Sequence, residues 1–179
     1  MDESIRIASV GHVEDPLSGL IGRDGFVDRS RVSLGRQLRS ASALTMIEID
    51  HFDVLVGRFG QECGSMIIRG VAQQLQTVVR GRDVVGRIDE TTFAILHTEI
   101  DLSAVKDVGE RLRRMVQSLG FFADDGSAIP VTVSIGIDVV TAAGRQNAPD
   151  LTGIMARAES RLDTARQAGC NRVVSPSAA

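Results

Sequence analysis

The stretch VVGRIDETTFAILH, residues 84–97, decides the fold of this 179-residue chain. It contains two short apolar runs, residues 84–88 and 93–97, separated by the four polar residues 89–92. Apolar runs separated by so short a polar segment are typical of a β-hairpin. We therefore predict a hairpin with residues 89–92 at its tip, and we look for functional side chains at that tip.

Amphipathic helices are predicted on both sides of the hairpin. Residues 64–79 follow a turn near residues 57–60 and repeat apolar side chains at steps of three and four. Residues 102–119 show the same spacing. This period places the apolar side chains on one face of a helix, which then packs against a sheet.

Further strands and helices follow in alternation. Residues 43–50 form a short apolar run that ends in acids, which favours a buried strand with Glu48 and Asp50 on one face. Residues 129–137 alternate with period two and residues 172–174 form a last short strand, whereas residues 24–38 and 150–168 have helical spacing. The class is therefore α/β or α+β, with one sheet covered by helices.

The composition is that of one globular domain, with 43% hydrophobic and 24% charged residues. No apolar run approaches the roughly 20 residues of a membrane span, and no secretory signal precedes the domain, so we expect a cytoplasmic protein without membrane contact. A net charge of -3 and the absence of Trp and Tyr argue against nucleic acid as a partner. Cys63 and Cys170 lack zinc-site spacing and are expected to be free thiols.

The order of these motifs resembles the GGDEF family of bacterial diguanylate cyclases. The resemblance spans Asp15 to Val174. It rests on five segments, DPLSGLIGR at 15–23, IEIDHF at 47–52, RFGQECGS at 58–65, VTVSIG at 131–136 and ARQAGCNR at 165–172.

The resemblance implies a domain similar to the nucleotidyl cyclase and polymerase palm folds. Its sheet would be mostly antiparallel, with about five strands covered by helices. Residues 15–174 would form a degenerate GGDEF domain, residues 1–14 an N-terminal extension or linker, and residues 175–179 a disordered tail.

The resemblance also indicates lost catalysis. Family members join two GTP molecules with the help of divalent metal, which is bound by carboxylates at the first strand end and in the hairpin signature. Glu48 occupies the first position. Asp89 and Glu90 occupy the positions of the two signature glycines, and Thr91 and Thr92 those of the two acids. A shifted register would align Asp89 and Glu90 with the family's two acids, but the family's two glycines would still be missing. We therefore expect the tight turn to be lost in either register.

The family's guanine and phosphate positions are altered as well. Val56 and Ser65 stand where the family has the Asn and Asp that bind the guanine edge, and Val56 cannot form a hydrogen bond. Arg166 and Cys170 stand where the family has two phosphate-binding cations. One cation of two therefore remains.

The acids of this region allow two interpretations. Charge clusters usually lie at the surface, so these residues can form a solvated acidic rim. They can also retain a cation site for Mg²⁺ or Ca²⁺, centred on Glu48 and Asp50. No cofactor is expected on the first interpretation. The residues concerned are Glu48, Asp50, Asp53, Asp89 and Glu90.

Arg80 and Asp83 match the Arg-x-x-Asp of the family's product-binding inhibitory site, and Arg111 is the candidate for its additional arginine. An Arg can pair with phosphate or guanine acceptors, and an Asp accepts from guanine N1 and N2. The alternative is structural, with Arg80 at a helix C-terminus and Asp83 at the start of a strand.

Three functions follow from these observations. The first is an inactive signalling domain that binds cyclic di-GMP. The second is a protein-interaction or dimerisation module, whose partner is a second copy, a response regulator, a phosphodiesterase or a PilZ-type protein. The third is a weak residual cyclase. His51 and His97 lack a neighbouring nucleophile and are expected to be surface or hydrogen-bonded histidines.

Overall fold

The computed structural model describes residues 14–36, 41–141 and 150–176, which form an α+β domain around one five-stranded sheet. The sheet order is β2-β3-β1-β6-β7, antiparallel except for the parallel β6–β7 pair. The helices are α1 (Arg23–Arg36), α2 (Phe52–Val78), α3 (Val105–Gln117) and α4 (Leu151–Gln167). The strands are β1 (Ser42–Ile49), β2 (Val84–Arg87), β3 (Thr92–Thr98), β4 (Phe121–Phe122), β5 (Ala128–Ile129), β6 (Val133–Val140) and β7 (Val173–Val174).

The two faces of the sheet are covered by different helices. Alternate side chains of β1 point to opposite faces because a strand has a period of two. Ala43 and Ile47 join the core formed with α2 and α3, whereas Leu44 and Met46 join the core formed with α1 and α4. The predicted class and the mostly antiparallel sheet are therefore confirmed.

Helix α4 lies directly on β6. A Cβ atom at Gly136 would overlap the backbone of Ala158 and Leu162, so only glycine permits this approach. Asp138 of β6 is buried, and its carboxylate accepts hydrogen bonds from Arg157 Nε at 2.9 Å and Arg161 Nη1 at 2.5 Å. These contacts hold the middle of α4 against β6.

Two element boundaries differ from the sequence predictions. Helix α2 begins at Phe52, earlier than predicted, and the turn predicted near residues 57–60 is a kink at Gly60. The chain stays helical on both sides of Gly60, which alone takes a left-handed φ of 86° within the helix. The strand predicted over residues 129–137 is split after β5 at Pro130, which lacks an N–H for the ladder. The short β4–β5 hairpin was not predicted.

The predicted extension (residues 1–14) lies almost wholly outside the described residues, as do residues 177–179 of the predicted tail. Residue 14 forms an isolated bridge with Ile21. Within the described residues, no helix is both long and apolar enough to cross a lipid bilayer.

Candidate functional site

The hairpin tip closes without glycine. Asp89 Oδ1 accepts hydrogen bonds from the backbone N–H groups of Thr91 at 3.0 Å and Thr92 at 2.9 Å. No residue of the segment 88–92 has a positive φ. The expectation that replacing the glycines would lose the turn is therefore wrong, because the Asp89 carboxylate forms an Asx turn in their place.

Arg87 attaches this tip to the loop before α1. Its Nη1 donates to Asp15 Oδ1 at 2.9 Å and its Nη2 donates to the carbonyl oxygen of Glu90 at 2.7 Å. Burial raises the pKa of Asp15, but hydrogen bonds from Ser18 and Arg87 outweigh it and hold that pKa below its ordinary value. The loop and the tip are thus locked together through one guanidinium.

Glu48 lies at the end of β1 in a crowded electrostatic environment. Its Oε2 is 3.4 Å from Arg166 Nη1. Burial raises the pKa of Glu48, the charge of Arg166 opposes this, and the charges of Asp89, Asp163 and Asp50 add to it, with a net increase. The Glu48 carboxyl therefore loses its proton less readily than that of an ordinary surface glutamate.

Asp50 is a buried structural acid. It is 6% exposed and accepts hydrogen bonds from Thr132 Oγ1 at 2.7 Å, Ser134 Oγ at 2.6 Å and the backbone N–H of Asn171 at 3.0 Å. Its oxygens are thus largely engaged by the protein. The solvated-rim interpretation is wrong for Asp50, although Asp53 and the hairpin acids are exposed. No local sequence pattern indicates the roles of Ser134 and Thr132, because they lie 84 and 82 residues from Asp50.

The loop after α4 is bent around Asp50. Gly169, Cys170 and Asn171 all have left-handed φ values, of 108°, 58° and 48°. Asn171 Oδ1 also accepts a hydrogen bond from Arg113 Nη1 at 2.7 Å, which connects the loop to α3. Burial, followed by the charge of Asp50, raises the pKa of the Cys170 thiol, so this position supplies no charge.

Most of the predicted site residues surround one large cavity of about 940 Å³, which we name the β1-end cavity. Ser65 is half-buried on α2 and is not among the residues of its wall. A second cavity of about 500 Å³ shares Glu48, Thr91 and Arg166 with it and also contacts Asp89 and Thr92. The predicted residues that line the β1-end cavity are Glu48, Asp50, Val56, Glu90, Thr91, Arg166 and Cys170.

The β1-end cavity offers little positive charge. Arg166 lies 3.4 Å from Glu48 and 3.5 Å from Asp163, so its guanidinium is already paired with acids. Val56 packs over Gly64 beside Phe52, which makes that part of the wall apolar. Among the described residues, no group of three or more His, Cys, Asp and Glu side chains is placed to hold a metal ion.

Arg80, Asp83 and Arg111 come together around a separate cavity of about 260 Å³, which we name the Arg80 cavity. Arg80 and Arg111 are exposed, and no ion pair engages either guanidinium within the described ranges. The cavity therefore has two uncommitted positive charges.

Asp83 closes the turn that leads into β2. Its carboxylate accepts hydrogen bonds from the backbone N–H groups of Arg80 at 3.0 Å and Thr98 at 3.1 Å. Burial raises the pKa of Asp83, but the neighbouring His97 imidazole and the backbone hydrogen bonds from Arg80 and Thr98 outweigh it and lower the net value. The contacts of Asp83 are thus those of a structural residue at the start of a strand. A ligand can use only the lone pairs of Asp83 that these hydrogen bonds leave free.

His97 is the residue of this region that sequence reasoning undervalued. Its side chain is 12% exposed, and its Nδ1 is 3.8 Å from Asp83 Oδ2. Its Nε2 is buried and has no hydrogen-bond partner in the described part of the chain. His97 is therefore neither a surface histidine nor a fully hydrogen-bonded one.

Curated relatives match most of the chain but only part of their own length. The probable diguanylate cyclase DgcT of Escherichia coli (strain K12) is 29% identical over 161 residues, 89% of this chain and 35% of DgcT. The diguanylate cyclase DgcP of Pseudomonas aeruginosa is 29% identical over 161 residues, 89% of this chain and 23% of DgcP. The chain thus spans about a quarter to a third of the length of these relatives.

Solved structures show the same fold. The diguanylate cyclase SiaD of Pseudomonas aeruginosa, solved in complex with its activator SiaC, has a TM-score of 0.82 and 25% identity over 91% of this chain and 61% of SiaD. The GGDEF domain of DgcB from Caulobacter crescentus, solved in complex with c-di-GMP, also has a TM-score of 0.82, with 23% identity over 92% of this chain and 93% of that domain.

A family model described as the diguanylate cyclase GGDEF domain matches residues 12–172, nearly the whole chain. This match covers the signature hairpin, the β1 end and the Arg80 cavity together. The chain belongs to the GGDEF domain family.

Proposed function

We propose that this domain has lost cyclase activity and binds cyclic di-GMP at the Arg80 cavity. The observation that carries the proposal is the pair of unengaged guanidinium groups, Arg80 and Arg111, which line one cavity together with Asp83. Cyclic di-GMP presents two phosphodiester anions and two guanine edges, which Arg recognises through paired N–H donors.

The metal chemistry of the family does not fit the donor set at the β1 end. Thr91 has a neutral hydroxyl, Asp50 is held by three hydrogen bonds, and Glu48 faces Arg166. Mg²⁺ prefers several oxygen ligands in near-octahedral geometry, usually with one or two carboxylates. Of the family's two metal-ligand positions, Glu48 keeps a carboxylate and Thr91 does not, so the residues present do not fit the catalytic metal.

Recognition of GTP is disfavoured by the same cavity. A guanine edge needs hydrogen-bonding partners, and Val56 presents methyl groups instead. A triphosphate would meet Glu48, Glu90 and Asp163 in the described wall of the cavity. The one guanidinium there, Arg166, is already paired with Glu48 and Asp163. Burying unpaired charge against like charge is costly.

The size of the Arg80 cavity suits one part of a cyclic dinucleotide. Drug-sized ligands occupy pockets of roughly 300–1,000 Å³, so a cavity of about 260 Å³ can enclose one base or phosphate while the rest of the ligand stays at the surface. The Asp83 turn fixes the floor of this site, and the two arginines can move toward the ligand.

Isothermal titration of cyclic di-GMP into the full chain tests the proposal. We expect micromolar binding, with Arg80→Ala and Arg111→Ala each weakening it by at least about tenfold. Arg114→Ala is the matched control, because Arg114 lies on the same helix, is 71% exposed and does not line the cavity. Absence of binding by the parent, or equal binding by all four proteins, would overturn the proposal.

A protein partner is the second candidate function. Phe122 is 60% exposed on the β4–β5 hairpin, an apolar side chain of the kind that protein interfaces bury. The SiaD structure shows that a related cyclase binds an activator protein. We expect a module of this type to be captured by a response regulator, phosphodiesterase or PilZ-type protein, or to dimerise, and Phe122→Ser to weaken that complex.

A further inference from the structure

His97 lies at the floor of the Arg80 cavity with an incomplete set of partners. Its Nδ1 is 3.8 Å from Asp83 Oδ2, beyond ordinary hydrogen-bond distance. Its Nε2 is buried without a partner among the described residues. The imidazole is thus held close to the ligand cavity while neither of its nitrogens forms a short hydrogen bond.

The charges around His97 come from several elements. Arg80 follows α2 and Arg111 lies on α3, and both bring positive charge to the cavity. Asp83 brings negative charge from the turn before β2. Glu99 and Asp101 follow β3, but Glu99 is paired with Arg82 and Asp101 caps the short helical turn at Ser103.

Arg80 and Arg111 bring positive charge to the cavity that His97 lines, and the Asp83 carboxylate lies 3.8 Å from its Nδ1. An anion bound between Arg80 and Arg111 offsets these charges and favours the imidazolium. The imidazolium would then lie between the ligand anion and the Asp83 carboxylate. Because linkage is reciprocal, a protonated His97 strengthens the binding of that anion by the same factor.

We infer that His97 couples ligand binding at the Arg80 cavity to pH, so that the cavity takes up one proton at His97 when it binds a phosphodiester ligand. The inference rests on the proposed binding of cyclic di-GMP. It assigns His97 as a positioning and charge-supplying residue in addition to Arg80, Asp83 and Arg111. Histidine changes its charge within the range from about pH 5 to 8, so the coupling would act near neutral pH.

Titration of cyclic di-GMP into the full chain at about pH 6 and about pH 8 tests the coupling. The Kd is expected to be lower at the acidic pH by about fivefold to tenfold. His97→Gln has a similar size but cannot become cationic, so its Kd should vary with pH much less. His51→Asn is the control, because His51 is exposed, lies outside the Arg80 cavity and has a left-handed φ of 53° that Asn tolerates.

A second measurement needs no variant. Binding heats measured near neutral pH in two buffers of different ionisation enthalpy should differ by an amount that reports proton uptake by the complex. Binding with the same Kd at both pH values and no proton uptake would overturn the inference and leave the proposed function standing. Absence of binding at both pH values would overturn the proposed function and the inference together.

Discussion

The β1-end cavity and the Arg80 cavity differ in how their charged side chains are engaged. In the larger cavity Arg166 is paired with acids and Asp50 accepts three hydrogen bonds from the protein. In the smaller one Arg80 and Arg111 have no ion-pair partner among the described residues. The larger cavity therefore has little available positive charge, whereas the smaller cavity has two available guanidinium groups.

The largest expected effect on stability is at Asp50, the buried acid of the β1-end cavity. Asp50→Ala leaves Thr132, Ser134 and the Asn171 N–H without their acceptor, so we expect a loss of about 3 kcal/mol in the free energy of unfolding. Urea denaturation measures this. Glu90→Gln at the exposed tip is the control and should stay within about 0.5 kcal/mol of the parent. An equal, small change in the free energy of unfolding for both variants would contradict the structural role of Asp50.

The hairpin tip gives a smaller effect. Asp89→Ala removes the acceptor for the N–H groups of Thr91 and Thr92, and we expect the free energy of unfolding to fall by about 1–2 kcal/mol. Asp89→Asn keeps a side-chain oxygen and should lose less than half of that amount. A parent-like Asp89→Ala in thermal unfolding would mean that the turn does not depend on this carboxylate.

The smallest effect is a pH dependence of opposite sign in the two cavities. Folding lowers the pKa of Asp83 below its ordinary 3.8, so its stabilisation is present above that pH and is lost as the pH falls through the folded value. Folding raises the pKa of Glu48 above 4.5, so its stabilisation is present below that pH and is lost as the pH rises through the folded value.

The variants should follow these signs. At neutral pH we expect Asp83→Asn to be less stable than the parent and Glu48→Gln to be more stable, each within the range of about 0.5–3 kcal/mol that is usual for single substitutions. Both differences should shrink in acid. Urea denaturation over a pH series measures them, and a shift of the same sign in both variants would contradict the contrast between the two cavities.

Local patterns in the sequence predicted most of the fold. Apolar spacing predicts the hairpin, the strand at residues 43–50 and the helix at residues 150–168. Their apolar faces then pack together between the sheet and its helices. The start of α2 was missed because Gly57 and Gly60 indicated a turn, whereas helix continues on both sides of the kink. Gly60 itself leaves the helical conformation, in keeping with the low helix propensity of glycine.

The sites were predicted less completely because their contacts join distant parts of the chain. The partners of Asp50 lie 82, 84 and 121 residues away, so no local pattern shows that this acid is buried. The same holds for His97, which lines one cavity with Asp83 and Arg111 although Arg111 lies on a different element. Arg80, Asp83 and Arg111 were identified together because the family resemblance supplied the long-range relation.

The most direct test of the account is a parallel assay of the parent chain with the two nucleotides. The chain, at high concentration so that two domains can meet, is incubated with GTP and Mg²⁺ or Mn²⁺, and products are separated by chromatography, while cyclic di-GMP binding is followed by calorimetry. We predict that cyclic di-GMP binds and that no cyclic di-GMP forms from GTP. Formation of cyclic di-GMP that Glu48→Gln abolishes would contradict the account, because it would place function in the β1-end cavity.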